Sequence, residues 1–251
     1  MQRFGRRKAA GRSCYDGGKR LWSRLNRQTP FANTFSKKED TPIQAPDAAL
    51  ESLQAGNARY ASGTPARPHQ DALRRAEVAS TQNPIAVVVG CSDSRVPVEV
   101  IFDVGVGDLF VVRTAGNLME DVCIASVEYA ITLLDVRLVV IMGHRRCGAV
   151  TAAVAATLEE EKGSIPPLAT DVDANRSQNY VDGLVAKIRP AVDRVLHVPG
   201  DLVDNAVKSN VELMIRRLYK RSVTVHDAVA SGNAKVVGAV YDLDTGLVNL
   251  V

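Results

Sequence analysis

The chain has 251 residues, of which 46% are hydrophobic and 24% are charged, and its net charge is +3. This composition is typical of a soluble globular protein with a real core. No apolar run approaches the roughly 20 residues needed to span a bilayer, which excludes insertion into a membrane. Four cysteines are too few for a disulfide scaffold in a chain of this size, so a reducing compartment is favoured, with some cysteines used for chemistry.

The N-terminal segment differs from the rest of the chain. Residues 1–40 carry eleven basic and three acidic side chains, a net +8, which leaves −5 for residues 41–251. A mildly acidic body excludes a nucleic-acid groove on the folded domain. Residues 1–45 lack helical or strand periodicity and are interpreted as a disordered extension, an organellar transit peptide or an over-long start assignment. We expect a cytoplasmic location, with an organelle as the alternative.

From residue 46 onward the pattern predicts alternating helices and strands. Short apolar runs at 85–89, 109–112 and 138–142 have the length of strands buried on both faces. Helices are predicted near residues 48–60, 122–134, 148–157, 181–197 and 202–220. The polar segment 158–180 is predicted to be a surface excursion, and 236–241 with 247–251 a closing strand and hairpin return. The order indicates one α/β domain over residues 46–251, built around a mainly parallel sheet and flanked by helices.

Metal-ligand side chains follow two of the predicted strands. The first strand leads into Cys91-Ser92-Asp93-Ser94-Arg95, and the third leads into Gly143-His144-Arg145-Arg146-Cys147. Ligands in open α/β sheets collect at the carboxyl ends of the strands. Two thiolates and one imidazole suit Zn²⁺, so Cys91, His144 and Cys147 are the predicted ligands. The three-residue spacing of His144 and Cys147 predicts that the start of the following helix presents both to one ion.

Each of these residues has an ordinary structural interpretation when taken alone. A single cysteine after a buried strand is more often a core residue, and a single histidine is more often a buried hydrogen-bonding group. Cys123, on a predicted apolar helix face, is interpreted in this way as a core thiol. The metal-site prediction therefore depends on the combination of two strand-end clusters, with Asp93 and Arg95 as a charged pair inside the first.

These motifs resemble the signature of the β-class carbonic anhydrases. The likeness covers about residues 46–251 and includes Gly56-Asn57-Ala58-Arg59-Tyr60, the run from Phe110 to Asn117, Val127-Glu128-Tyr129-Ala130 and Tyr241-Asp242-Leu243. It implies the fold of that family, one Zn²⁺ per subunit, and reversible hydration of CO₂ to bicarbonate and a proton. In that scheme zinc-bound hydroxide attacks CO₂, Asp93 orients the hydroxide, and Arg95 holds Asp93. A homodimer or a higher even homo-oligomer is also implied.

The resemblance further implies a set of substrate-binding residues. Gln82 would hydrogen-bond bicarbonate, Val96 would wall the CO₂ site, and Gly116 would offer a backbone N–H. Phe110 and Tyr129 would line the small pocket. Judged on the residues alone, Gln82 is more typical of a surface loop, and the two aromatic residues of core packing.

Three alternatives stay open at this point. Asp93 can act as a fourth zinc ligand in a closed state that binds no water, which some family members adopt at lower pH. The same fold can hydrolyse a related small molecule such as CS₂ or COS. Zinc can also be a structural staple in a non-catalytic protein, although structural sites usually draw on paired, closely spaced ligands.

Overall fold

A computed structural model of the chain describes residues 44–164 and 180–251. The predicted N-terminal extension and most of the predicted surface excursion therefore lie outside the described residues. Residues 158–161, which were assigned to that excursion, belong to a helix instead. No helix in the described ranges is long and apolar enough to cross a membrane.

Strands and helices alternate along the chain, as the sequence predicts. The strands are β1 (Ala86–Cys91), β2 (Leu109–Thr114), β3 (Leu138–His144), β4 (Lys235–Tyr241) and β5 (Val248–Leu250). The helices are α1 (Pro46–Ala61), α2 (Ala72–Glu77), α3 (Val98–Ile101), α4 (Asp121–Leu133), α5 (Gly148–Glu161), α6 (Tyr180–Asp193), α7 (Leu202–Arg221) and α8 (Val223–Ala230). A short 3-10 turn, Ala115–Asn117, follows β2.

The strands form one sheet in the order β2-β1-β3-β4-β5. The first four run parallel, and β5 returns antiparallel to β4 as the predicted hairpin. The predicted fold class, a mainly parallel sheet with flanking helices, is confirmed. β1 and β3 are neighbours near the middle of the sheet and are buried along their whole length.

Element boundaries were the weaker part of the prediction. β1 and β3 continue through the glycines at which they were expected to stop, and they end on Cys91 and His144. The predicted helix 181–197 ends earlier, at Asp193. Helices α2, α3 and α8 have only 6, 4 and 8 residues and were not predicted. So few residues contain too few turns to show a 3.6-residue period.

The sheet is covered on both faces, as its alternating side chains require. Val87, Val89 and Ile141 face a large cluster made with α4, α5, α6, α7 and α8. Val88 and Val140 face a smaller cluster to which α1 and α3 contribute. Because successive residues of a strand point to opposite faces, a continuous apolar strand is the expected product of two-sided burial.

Helix α7 lies against the sheet at very short range. A Cβ atom on Gly143 would come within 2.9 Å of Val211 Cγ2, and one on Gly238 within 2.9 Å of Val211 Cγ1. Since real Cβ contacts are essentially never shorter than 3.0 Å, both positions need glycine while Val211 stays where it is. This contact fixes the middle of α7 beside the end of β3, at Gly143, and beside the middle of β4, at Gly238.

A buried carboxylate ties α1 to the segment after α3. Asp103 accepts hydrogen bonds from the amides of Ala66 and Arg67, at 2.9 and 2.8 Å, and from Arg59 Nε at 2.6 Å. Burial by itself would raise the pKa of Asp103, but these amides and the Arg59 guanidinium outweigh it, so the pKa lies below the ordinary aspartate value. The ionised form is therefore the one that stabilises the fold.

Replacing Asp103 by asparagine should lower the free energy of unfolding at pH 7 by about 2 kcal/mol, the usual contribution of hydrogen bonds to a charged group. Because the folded-state pKa is depressed, this stabilisation is present above the unfolded pKa of about 4 and is lost as the pH falls below it. Urea unfolding of both proteins over a descending pH series should show the difference shrinking.

The matched control is Asp47→Asn, which breaks an exposed pair with Lys235. Exposed ion pairs contribute about 0–1 kcal/mol, so this variant should change stability little. Equal losses in the two variants, or a difference that does not change with pH, would contradict the assigned role of Asp103.

Candidate metal centre

Three buried side chains converge at the carboxyl edge of the sheet. Cys91 ends β1, His144 ends β3, and Cys147 is the residue immediately before α5. Their ligand atoms all lie within 4.8 Å of one another, and the two sulfur atoms are 4.0 Å apart. Among the described residues this is the group of His, Cys, Asp or Glu side chains that could hold a metal ion. The structure thus brings the three predicted ligands together.

One detail of the prediction was wrong. His144 and Cys147 were expected to be presented together by the start of a helix, whereas His144 belongs to β3 and only Cys147 lies at the helix boundary. The strand continues to His144 because its backbone stays in register with β4 as far as the pair His144 and Tyr241. The place of Cys147 suits a thiolate, because backbone amides at a helix N-terminus favour negative charge.

The orientation of the His144 ring is set by the next residue. Nδ1 lies 3.0 Å from the Arg145 carbonyl oxygen, which can only accept, so Nδ1 carries the proton. Nε2 is left as a lone-pair atom on a fully buried ring, with no hydrogen-bond partner in the described part of the chain. Hydrogen bonding of one ring nitrogen to a carbonyl is the usual way in which a protein prepares the other for a metal.

The Arg145 backbone and side chain are themselves held in place. The Arg145 amide donates to the Tyr241 carbonyl at 2.9 Å. Its guanidinium forms ion pairs with Asp204 at 2.7 Å and Asp242 at 3.2 Å. The carbonyl that orients His144 therefore belongs to a residue fixed to both α7 and the end of β4.

The Cys91 sulfur accepts hydrogen bonds from two backbone amides. The Gly116 N–H lies at 3.3 Å and the Asp93 N–H at 3.4 Å. The neighbouring Cys147 thiol lowers the pKa of Cys91 most. His144 and these two amides lower it further, and together they outweigh the effect of burial. Cys91 is consequently the thiol that ionises first.

Asp93 and Arg95 form a two-pronged ion pair beside the three ligands. Arg95 Nε and Nη2 donate to the two carboxylate oxygens of Asp93 at 3.0 and 2.8 Å, and the Arg95 amide adds a third bond at 2.9 Å. The Arg95 guanidinium holds the pKa of Asp93 well below its usual range. Asp93 Oδ2 lies 3.8 Å from His144 Nε2, so an ionised carboxylate stands at the rim of the ligand cluster.

Arg113, on the neighbouring strand β2, holds the loop after β1 in place through two hydrogen bonds. Its Nε donates to the Cys91 carbonyl at 2.9 Å and its Nη2 to the Asp93 carbonyl at 2.7 Å. Arg95 Nη2 also reaches the Arg146 carbonyl at 3.3 Å, which joins the two ligand-bearing loops. No short-range spacing rule predicts the Arg113 contacts, because they depend on the parallel pairing of β1 with β2.

The predicted substrate-binding residues fall into different surroundings. Phe110 and Tyr129 stack on each other, with ring centroids 6.0 Å apart, and both are half-buried. Val96 is fully buried within the smaller core cluster, and Gln82 is exposed before β1. Gly116 was expected to offer its N–H to substrate, but the structure directs this N–H at the Cys91 sulfur. For Gly116 the structure therefore gives a contact to the ligand sphere instead.

These features define a class of protein: a parallel α/β sheet with a Cys-His-Cys metal site and an adjacent carboxylate at its carboxyl edge. A family model described as Carbonic anhydrase matches residues 86–248. Carbonic anhydrase 2 of Mycobacterium tuberculosis is 38% identical over 205 residues, which cover 82% of this chain and 92% of that protein. The carbonic anhydrase of Mycolicibacterium smegmatis is 37% identical over 209 residues, covering 83% and 95% of the two chains.

Solved structures agree with the sequence relatives. The Coccomyxa β-carbonic anhydrase in complex with acetazolamide is similar with a TM-score of 0.59 and 27% identity, over 80% of this chain and 86% of that one. The chain belongs to the carbonic anhydrase family, and within it to the β class. The resemblance drawn from the sequence motifs is confirmed, and the enzyme is a carbonic anhydrase, a lyase.

Metal binding should depend on Cys91 and not on buried cysteines in general. Cys91→Ser replaces a thiolate by a hydroxyl that does not ionise at neutral pH, so the metal bound per chain, measured by mass spectrometry of the purified protein, should fall to a small fraction of the wild-type value. Cys123→Ser is the matched control, since Cys123 is also a buried free thiol but lies outside the ligand cluster. Equal metal content in the Cys91 variant and the wild type would contradict the predicted ligand set.

Proposed function

We propose that this carbonic anhydrase is a zinc enzyme that reversibly hydrates CO₂ to bicarbonate and a proton, with Cys91, His144 and Cys147 holding the zinc and Asp93 directing the attacking water. The observation that carries the proposal is the place of the Asp93 carboxylate, paired with Arg95, at the rim of the three-ligand cluster. Three protein ligands leave one position open, which is the arrangement of a catalytic site, whereas a structural zinc site is closed by four.

The residues present fit a zinc ion. Two sulfur atoms and one imidazole nitrogen are the donors that zinc prefers. Their ligand atoms all lie within 4.8 Å of one another, so one ion could be shared by all three. The buried and unpartnered Nε2 of His144 supports the fit, because a metal would satisfy it. When bound, zinc supplies a Lewis acid that lowers the pKa of water and so provides a nucleophile near neutral pH.

Asp93 orients the attacking water. Its carboxylate is ionised and acceptor-only, so it can take a hydrogen bond from the attacking water and turn the oxygen lone pair toward CO₂. Holding a reactant in one orientation removes much of the entropic barrier to reaction. CO₂ itself has no charge and little hydrogen-bonding capacity, which suits the apolar wall that Val96, Phe110 and Tyr129 would form in this proposal.

Arg95 keeps Asp93 available for this task. A guanidinium that binds both carboxylate oxygens fixes the plane of the carboxylate, and the Arg146 carbonyl fixes the guanidinium in turn. The arrangement supports an open site, in which Asp93 is held by Arg95 and does not occupy the fourth metal position. Gln82, exposed before β1, keeps its proposed role as a hydrogen-bond donor to bicarbonate.

The proposal includes a homodimer or a higher even homo-oligomer. β2 is an edge strand of the sheet, and its outer side has no partner strand among the described residues. The half-buried pair of Phe110 on β2 and Tyr129 on α4 lies next to this edge. Light scattering coupled to size exclusion should give a mass of at least twice 27.0 kDa. A purely monomeric enzyme with full activity would remove this part of the proposal.

Asp93→Asn should reduce the rate of CO₂ hydration by at least about 100-fold while leaving zinc content unchanged, because the amide presents a donor where an acceptor is needed. Arg95→Lys should give an intermediate loss, since an ammonium group cannot bind both carboxylate oxygens in the same planar way. Stopped-flow measurement of proton release, with zinc quantified in each preparation, checks both.

The control is Asp244→Asn, which removes an exposed pair with Arg146 close to the same loops and should leave the rate near that of the wild type. Wild-type rates in the Asp93 variant would remove the proposed role of Asp93. The zinc-loaded wild-type protein should also be assayed on COS and CS₂. If it does not hydrate CO₂ but hydrolyses COS or CS₂, that molecule replaces CO₂ as the proposed substrate. If it acts on none of the three, the proposed function is wrong.

A further inference from the structure

A fully buried amide side chain lies directly behind the cluster of metal ligands. Asn210 is on α7, next to Val211, whose close contact with Gly143 and Gly238 holds the helix against the sheet. Asn210 is 0% exposed, and its Nδ2 donates to the Gly116 carbonyl at 2.9 Å, across 94 positions of sequence. Because a carbonyl oxygen can only accept, this contact fixes which end of the amide faces Gly116.

The same residue, Gly116, makes a second hydrogen bond, to the metal site. Its N–H donates to Cys91 Sγ at 3.3 Å. Gly116 has φ of +66°, and the next residue, Asn117, also has a positive φ of 45°. A side chain at Gly116 would come within 2.8 Å of Ile188 Cδ1. The turn that aims the N–H at sulfur is thus an unusual backbone conformation, and its carbonyl is held by Asn210.

Packing alone does not account for an asparagine at this position. The Oδ1 atom of Asn210 is buried with no hydrogen-bond partner among the described residues. Leaving a buried acceptor unpaired destabilises a protein, so an apolar residue of similar volume would serve the core better. The bond to Gly116 is the contact that needs this side chain.

We propose that Asn210 is a positioning residue: by binding the Gly116 carbonyl it holds the backbone of that residue in the conformation in which the Gly116 N–H stays bonded to the Cys91 thiolate. This inference rests on the proposed zinc site. An N–H···S bond withdraws electron density from the sulfur, so the thiolate donates less to the metal. The metal then keeps more of its positive charge, which a site with two thiolates otherwise neutralises. Outer-shell hydrogen bonds tune metal sites in this way, and their loss commonly changes metal affinity or activity about 10- to 100-fold.

The test uses the cobalt-substituted full-length enzyme, because the thiolate-to-cobalt charge-transfer band reports directly on sulfur donation. Asn210→Leu keeps most of the side-chain volume and removes the donor. We expect its charge-transfer band to move to longer wavelength than in the wild type, and zinc affinity, measured by competition with a chelator, to change by about 10-fold.

The matched control is Asn205→Leu, on the same helix. Its Nδ2 contacts the Val198 and Pro199 carbonyls, away from the ligands, and its loss should leave the cobalt spectrum unchanged. A purely structural role for Asn210 would lower thermal stability without moving the band. An unshifted band in folded Asn210→Leu therefore overturns the inference.

If Asn210→Leu does not fold, NMR spectroscopy of the wild-type enzyme loaded with ¹¹³Cd tests the inference instead. Scalar coupling between cadmium and the Gly116 amide proton, together with slow solvent exchange of the Asn210 side-chain protons, supports the inference, and the absence of either overturns it. The experiment distinguishes failure of the proposed metal site from failure of the proposed role of Asn210. Wild-type protein that shows no thiolate-to-cobalt band at all refutes the metal site itself. A normal wild-type band with an unchanged variant refutes only the role of Asn210.

Discussion

The site depends on one constraint, the parallel pairing of β1 with β3 in the middle of the sheet. Cys91 and His144 are 53 positions apart in sequence, yet each ends its strand at the same edge, because parallel neighbours finish together. The pairing in turn needs full burial of both strands, which the two helical layers supply. Cys147 then needs only one short turn from β3 to reach the same point.

The second theme is charge. Two thiolates neutralise most of the charge of a divalent ion, and such a site should polarise water less than a site of three neutral imidazoles. The surroundings act against this effect. Two backbone amides donate hydrogen bonds to the Cys91 sulfur and withdraw electron density from it. Arg95 holds the Asp93 carboxylate at the rim of the ligand cluster. In the proposed mechanism the three ligands alone would form a binding site, and the groups around them would suit it to hydration chemistry.

The sequence was informative where chemistry is local. Long apolar strands, the residues that follow them and the Asp93-Ser94-Arg95 spacing could be read directly, and the family signature joined them into one site. Short helices such as α2 and α8 were not predicted, because they have too few turns for a periodic signal. Cys147 lies at the start of a helix, as predicted, whereas His144 lies on β3 and not on that helix.

Contacts that depend on the assembled fold could not be predicted in this way. Arg113 reaches the Cys91 loop only because β1 and β2 are paired in register, and Asn210 reaches Gly116 only because α7 packs closely on glycines of β3 and β4. In sequence, Asn210 is one polar residue on an otherwise ordinary amphipathic helix. Its proposed role is visible only because Gly116, whose carbonyl it binds, also donates its N–H to the Cys91 sulfur.

Zinc K-edge X-ray absorption of the purified enzyme at alkaline pH tests the metal centre most directly. The proposed zinc site predicts a four-coordinate shell with two sulfur neighbours at about 2.3 Å and two lighter atoms at about 2.0 Å, one from His144 and one from an exchangeable oxygen. A shell with no sulfur, or one closed by four sulfur and nitrogen atoms with no exchangeable oxygen, would contradict a catalytic Cys91-His144-Cys147 site.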